Sequence, residues 1–69
     1  MEETGWLIEK WSEELHRPVW LRAYYGVFGW TYDSLEAIRF SRKSDAEQIK
    51  TMLHNSEKLE TTEHGWFGN

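Results

Sequence analysis

The N-terminal third of the chain shows the residue pattern of two short strands. Residues 6–11 are rich in strand-forming side chains and too short for an isolated helix, which predicts a first strand. Residues 19–25 predict a second strand, whose alternate side chains project from opposite faces of a sheet. One face then carries Val19, Leu21, Ala23 and Tyr25, and the other carries Trp20, Arg22 and Tyr24. The polar segment 12–18 predicts a turn, so the two strands form a hairpin.

The middle of the chain has a less regular pattern. Gly26 and Gly29 bracket two apolar residues, which predicts a loop, and residues 30–32 predict a short third strand. Asp33 and Ser34 are typical of a turn. Residues 35–40 are compatible with either one helical turn or a short strand, and propensity does not decide between them.

The third part of the chain shows helical periodicity. Ser44 is followed three residues later by Glu47, which is a capping-box pattern at a helix N-terminus. The macrodipole favours the acidic residues of this first turn. Apolar residues then recur at helical spacing on one face, at Ala46, Ile49, Met52 and Leu53. These features predict a helix over residues 44–54.

The last regular element is a strand predicted by the alternation over residues 58–64, placed beside the first strand. Residues 1–69 then form a single α+β domain. Its antiparallel sheet has three to four strands and packs against one α-helix, in the order β-β-(β)-α-β. One short helix covers one face of the sheet, yet large aromatic side chains project from both faces of the hairpin. This mismatch is the most informative inference from the pattern.

Composition narrows the class of protein. A chain of 69 residues buries only about 60% of the surface that its unfolded form exposes. It has no cysteine to form a disulfide, so its five Trp, three Tyr and three Phe must supply stability by packing or self-association. A disulfide-free small domain without a long apolar run or a signal-peptide pattern predicts a cytoplasmic protein that does not enter a membrane.

The net charge of −4 is unevenly distributed along the chain. Residues 1–16 carry −4, residues 17–43 carry +3 and residues 44–69 carry −3, so a basic middle lies between two acidic ends. An acidic total disfavours generic DNA binding, which depends on neutralising phosphates. It is better suited to a basic partner, or it serves to keep an aromatic-rich protein in solution.

The uncovered sheet face is the first candidate site. Exposed apolar patches usually mark interaction surfaces, and Trp, Tyr and Arg dominate interface hot spots. The predicted partner-binding residues are Trp11, Trp20, Arg22, Tyr24 and Trp30, and the predicted core residues are Trp6, Ile8, Leu21, Phe40, Ile49 and Leu53. Replacing Trp20 by Ala should then abolish binding and leave the fold intact. The alternative is that loops fold back and bury these rings.

Other functions have weaker support in the sequence. Single-stranded nucleic acid could stack on the aromatic residues beside Arg39, Arg42 and Lys43, and a structural homodimer is a further alternative. His16, His54 and His64 show no metal-ligand spacing, so no metal or other cofactor is expected. No nucleophile elbow, phosphate loop or other catalytic motif occurs, so we do not expect an enzyme.

Three segments spread over most of the chain carry a resemblance. They are GWLIE at residues 5–9, AIRFSRKSDAE at residues 37–47 and EHGW at residues 63–66. Together they resemble a pattern in small uncharacterised proteins encoded by bacteriophages and prophages. The resemblance implies an accessory protein that binds a protein of the bacterial host and inhibits or redirects it, including defence systems such as CRISPR complexes. It implies no particular site residue.

Overall fold

A computed structural model describes residues 2–54 and 56–67 of the chain. The fold is α+β, as the sequence predicts: a four-stranded antiparallel sheet and one α-helix. The strands are β1 (Glu2–Ser12), β2 (Arg17–Tyr24), β3 (Val27–Thr31) and β4 (Glu60–Phe67), and the helix α1 (Lys43–Thr51) lies between β3 and β4 in the chain. A single 3-10 turn at Ser56–Lys58 precedes β4. The strand order across the sheet is β3-β2-β1-β4, so β4 lies beside β1 as predicted.

A two-residue turn joins β2 to β3. Tyr24 pairs with Val27, and the intervening Tyr25 and Gly26 have φ angles of 50° and 78°. Positive φ at both central residues is the geometry of a type I′ turn, whose twist matches that of the flanking strands. The prediction of a loop between Gly26 and Gly29 is therefore wrong, because β3 begins directly after the turn at Val27.

The strands β1 and β2 form a fork. They pair from Glu9 opposite Trp20 to the turn between them, whereas the N-terminal part of β1 pairs with β4 on its other side. Residues 38–40 fill the gap where β1 and β2 diverge. The amide of Ile38 donates to the carbonyl of Leu21 at 3.0 Å, and Trp6 and Phe40 exchange two backbone hydrogen bonds of 2.8 and 2.9 Å. Segment 35–40 is thus neither of the predicted alternatives, apart from this isolated bridge.

Apolar side chains are buried on both faces of the sheet. On the helix face, buried residues pack together with six partly buried neighbours; the buried set is Ile8, Leu21, Ala46 and Leu59, and the neighbours are Trp6, Trp30, Ile38, Phe40, Ile49 and Leu53. All six residues predicted as core belong to this cluster. On the opposite face, a second cluster contains Leu7, Trp20 and Ala37, with Trp66 at its margin. The helix lies mainly against β1 and β4.

The helix begins and ends differently from the prediction. Its N-cap is Arg42, which makes no side-chain capping bond, and the exposed Ser44 lies inside the first turn. The carboxylate of Glu47 instead accepts a hydrogen bond from the Thr61 hydroxyl at 2.8 Å. The prediction of a capping box is therefore wrong. The helix begins before Ser44, and the Glu47 carboxylate is bonded to β4. The helix ends at Thr51, before the predicted His54.

Candidate functional site

Trp20, the central predicted anchor, lies in the core of the opposite face. Its side chain is 9% exposed. The indole Nε1 donates to Glu9 Oε1 at 2.8 Å, and the ring meets His64 edge-on at a centroid distance of 5.4 Å. Its polar atom and its ring are therefore both engaged inside the molecule, and a partner cannot reach them without rearrangement.

The chain itself covers Trp20 by crossing β2 after the end of β3. Thr31 Oγ1 accepts from the amide of Asp33, whose own carboxylate accepts from the amide of Leu35, which fixes the reversal of the chain. Glu36 then forms an ion pair with Arg22 at 3.5 Å, and Ala37 packs with Trp20. We call residues 32–40 the crossing segment. For Trp20, the structure thus has the arrangement that the sequence left as the alternative, in which loops fold back and bury the rings.

Trp30 lies on the helix face, away from Trp20. The register of β2 and β3 places Trp30 opposite Leu21, and both belong to the helix-side cluster. The ammonium group of Lys10 lies 4.5 Å from the centre of the Trp30 ring. The structure therefore places Trp30 on the other face of the sheet from Trp20, Arg22 and Tyr24.

The far end of the β2–β3 hairpin is exposed on both faces. All side chains of residues 23–28 are exposed, including Tyr24 at 60%, Tyr25 at 91%, Val27 at 67% and Phe28 at 54%. We call residues 23–28 the aromatic tip. Four large apolar side chains thus stand together on a projecting hairpin, and this is the most concentrated apolar exposure among the described residues. Such concentrations usually mark interaction surfaces.

Arg22 supports the aromatic tip from below. Its guanidinium carbon lies 4.9 Å from the centre of the Tyr24 ring, and the Tyr24 ring meets the Tyr25 ring at 4.6 Å with an interplanar angle of 69°. Because Arg22 also pairs with Glu36, the cation is held at one end of this stack. Arg22 and Tyr24 are the two predicted anchors that meet at the aromatic tip.

Trp11, the remaining predicted anchor, is 57% exposed at a different place on the sheet. It lies beside an open cavity of about 520 Å³ whose other lining residues include Lys10, Trp30, His54 and Lys58. Trp11 pairs with Pro18 near the turn between β1 and β2, so it lies outside the aromatic tip. Trp11 and Trp30, two of the predicted anchors, thus line one cavity apart from the aromatic tip.

The sequence reasoning missed Tyr25, Val27 and Phe28. A usable signal was present: residues 23–32 form a run without any charged residue and contain Tyr24, Tyr25, Phe28, Trp30 and Tyr32. A strand-turn-strand interpretation of this run, with Gly26 in the turn, would have placed an uncharged hairpin at the surface. The prediction of a loop at Gly26–Gly29 hid this register.

Comparisons of the chain with protein-family models, curated proteins and solved structures give no significant match. Within the described residues, no helix is long and apolar enough to cross a lipid bilayer. The same part of the chain holds no group of three side chains placed to bind a metal ion.

Proposed function

We propose that this protein is a non-enzymatic binding module that recognises another protein through the aromatic tip. The observation that carries the proposal is the joint exposure of Tyr24, Tyr25, Val27 and Phe28 on one hairpin. A small domain normally buries such residues, because each large apolar side chain left in water forgoes about 1.5–3 kcal/mol. Exposure at four neighbouring positions therefore favours a role in contact with a partner.

The chemistry of the tip is that of an interface hot spot. Tyrosine and arginine are enriched at hot spots because they combine a large contact area with polar groups. Here Arg22, Tyr24 and Tyr25 present this combination on the β2–β3 hairpin. The ion pair with Glu36 reduces the freedom that Arg22 would lose on binding.

The nature of the partner follows from charge and from the sequence resemblance. The acidic total charge favours a partner with a basic surface around an apolar centre. The resemblance to phage and prophage accessory proteins extends the proposal to a bacterial host protein, bound in the host cytoplasm and inhibited or redirected. Components of host defence systems belong to this class of partner.

Binding of single-stranded nucleic acid has less support. Stacking of bases requires an open aromatic face. Three of the Trp rings already carry a cation over one face: Arg39 lies over Trp66 at 4.0 Å, Lys43 over Trp6 at 5.5 Å and Lys10 over Trp30 at 4.5 Å. The chain is also acidic in total, whereas nucleic-acid binding depends on neutralising phosphates, so we place protein binding ahead of nucleic-acid binding.

The test compares the wild-type chain with a tip variant and a matched control. The tip variant combines Tyr24→Ala with Tyr25→Asn, since Asn accepts the positive φ of the turn and keeps the hairpin intact. The control is Met52→Ala, which removes an equally exposed apolar side chain beyond the end of the helix. Each chain is used to capture proteins from a bacterial lysate, and mass spectrometry quantifies them.

We expect one host protein to be enriched by the wild type and by Met52→Ala, and to fall at least about tenfold with the tip variant. The captured protein is then purified and its affinity measured by calorimetry with the same three chains. Equal affinity for the wild type and the tip variant would contradict the proposal. Quenching of Trp fluorescence by oligonucleotides at low salt would instead favour the nucleic-acid alternative.

A further inference from the structure

We infer that β3 pairs with the β3 strand of a second copy of this chain, joining two four-stranded sheets into one continuous antiparallel sheet. The inference concerns the outer edge of β3 and does not depend on the proposed function of the tip. Because β3 is the terminal strand of the order β3-β2-β1-β4, one of its sides has no neighbouring strand among residues 2–54 and 56–67. Such an edge is a template for a further strand.

The hydrogen bond between Ile38 and Leu21 shows in which direction the backbone groups of β3 point. The carbonyl of Leu21 accepts from Ile38, so Leu21 points its backbone groups away from β3. Its partner Trp30 then turns its own amide and carbonyl outward, and so does Phe28 two residues before it. In the described part of the chain, no backbone hydrogen bond outside the strand pairs reaches Phe28 or Trp30. Two amides and two carbonyls therefore line the free edge.

This edge lacks the usual protection against pairing. Natural edge strands carry charged side chains, proline or bulges that discourage a second strand. The sequence VFGWT of β3 has no charged residue and no proline, and its pairing with β2 is regular from Tyr24–Val27 to Trp20–Thr31. The other edge of the sheet, β4, carries the exposed acidic residues Glu60 and Glu63. The contrast identifies β3 as the edge that can pair.

A two-fold axis beside Gly29 gives a self-complementary register. Phe28 of one copy lies opposite Trp30 of the other. The four outward amides of the two strands then donate to the four outward carbonyls, which gives four hydrogen bonds. On the helix face, two aromatic cross-strand pairs form between Phe28 and Trp30, a favourable combination. On the opposite face, the two Gly29 residues meet without any side chain between them. The strand β3 itself brings no charged side chain into the contact.

The same geometry stops the assembly at two copies. Pairing through β3 uses the free β3 edge of each chain, and the joined sheet then ends in β4 on both sides. Further edge-to-edge growth would bring the acidic residues Glu60 and Glu63 of different dimers together. A symmetric interface of this kind is closed. We therefore expect a closed dimer, and we do not expect an assembly that keeps growing from edge to edge.

Gly29 provides the test. A Cβ atom at this position would meet nothing closer than Arg22 Cγ at 3.8 Å, so a side chain fits within one copy. In the dimer, Gly29→Lys places two like charges directly opposite each other, which is destabilising. Gly29→Glu does the same with the opposite sign. Gly29→Thr adds an uncharged, strand-forming side chain and is the matched control.

Sedimentation equilibrium over a range of concentrations measures the dimer. We expect the wild type and Gly29→Thr to dimerise, and each charged variant to weaken the dimer about tenfold or more, because like charges brought together at an interface are strongly unfavourable. Mixing Gly29→Lys with Gly29→Glu should restore it, because opposite charges then meet at the axis. Circular dichroism checks that every variant folds. Dimers of undiminished strength for both charged variants would exclude this register.

Hydrogen exchange tests the same pairing in the wild-type chain without any substitution. The amides of Phe28 and Trp30 should become protected as the concentration rises into the dimer range. A wild type that remains monomeric at high micromolar concentration, with fast exchange at both amides, would overturn the inference. Both charged variants leave Tyr24 and Tyr25 in place, and they act with opposite signs on Arg22, which lies opposite Gly29 within one copy. A loss of dimerisation in both variants with retained partner capture therefore separates this inference from the proposed function.

Discussion

Trp20 and Tyr24 lie on the same face of the same strand, four residues apart, yet their environments differ completely. Trp20 is 9% exposed and Tyr24 is 60% exposed. The crossing segment accounts for the difference, because it packs over Trp20 and then turns into the fork beside Leu21. Tyr24 lies beyond the point where the segment leaves the face.

The comparison separates two parts of one sheet. The part around β1 and β4 is covered by the helix on one face and by the crossing segment on the other. The aromatic tip is covered on neither face. Residue type does not distinguish them, since both contain large aromatic side chains. The path of the irregular chain therefore decides which aromatic residues stabilise the fold and which stay exposed at the surface.

The largest effect should come from Trp20→Ala. Removing a buried Trp costs about 3–5 kcal/mol, against a total stability of roughly 3–10 kcal/mol for a chain of this size. The substitution also leaves Glu9 without its strong hydrogen bond. We therefore expect largely unfolded protein by circular dichroism and urea titration, in contrast to the intact fold that the sequence alone predicts for this variant.

Tyr24→Ala is the matched control for this experiment. It removes an aromatic ring from the same face of the same strand, where the ring is largely in water. The free energy of unfolding should fall by less than about 1 kcal/mol. Equal losses for the two variants would show that the crossing segment does not separate the two environments.

A smaller effect, of opposite sign, is expected for Tyr25→Asn. Tyr25 has a φ angle of 50°, a conformation that is costly for a bulky residue, and asparagine before glycine is the preferred type I′ turn. The variant should be more stable by about 0.5–1 kcal/mol in urea unfolding. A stabilised chain that binds its partner less well would show that the tyrosine is kept for contact. A destabilised variant would mean that Tyr25 supports the fold.

The smallest effect is a dependence of stability on acid pH, which arises from Glu47 in the helix. The hydrogen bond from Thr61, followed by the contact with Lys50, lowers the pKa of Glu47. Its contribution to stability is therefore complete above the pKa of an unfolded glutamate, about 4.3, and is lost as the pH falls through the lower folded-state value. Glu47→Gln should be less stable than the wild type at pH 7, and the gap in urea midpoint should narrow towards pH 3. A constant gap would rule out this role.

Local sequence signals determine much of this fold. The alternation in residues 19–25 correctly predicts that Trp20, Arg22 and Tyr24 share one face. The spacing of the apolar residues around Ala46 predicts the helix and its buried side. The six predicted core residues pack together. These features depend on neighbouring residues, which the sequence displays directly.

The remaining features depend on contacts between distant parts of the chain. The conformation of residues 35–40 comes from backbone hydrogen bonds to Leu21 and Trp6, which lie far away in the sequence. Trp30 reached the helix face because the two-residue turn at Tyr25 fixed the register. The exposure of the tip depends on where the crossing segment leaves β2. A periodicity argument contains none of this information.

The fork has a consequence for how a small chain accommodates many large rings. By admitting residues 38–40 between β1 and β2, it lets the crossing segment serve as a third layer opposite the helix. The molecule thus builds two thin cores on either side of one sheet, where a chain of this size would ordinarily build one. Wide, flat side chains such as Trp6, Trp20 and Trp66 suit thin cores, because each ring covers much area with little depth. Five tryptophans in 69 residues are then largely a matter of architecture.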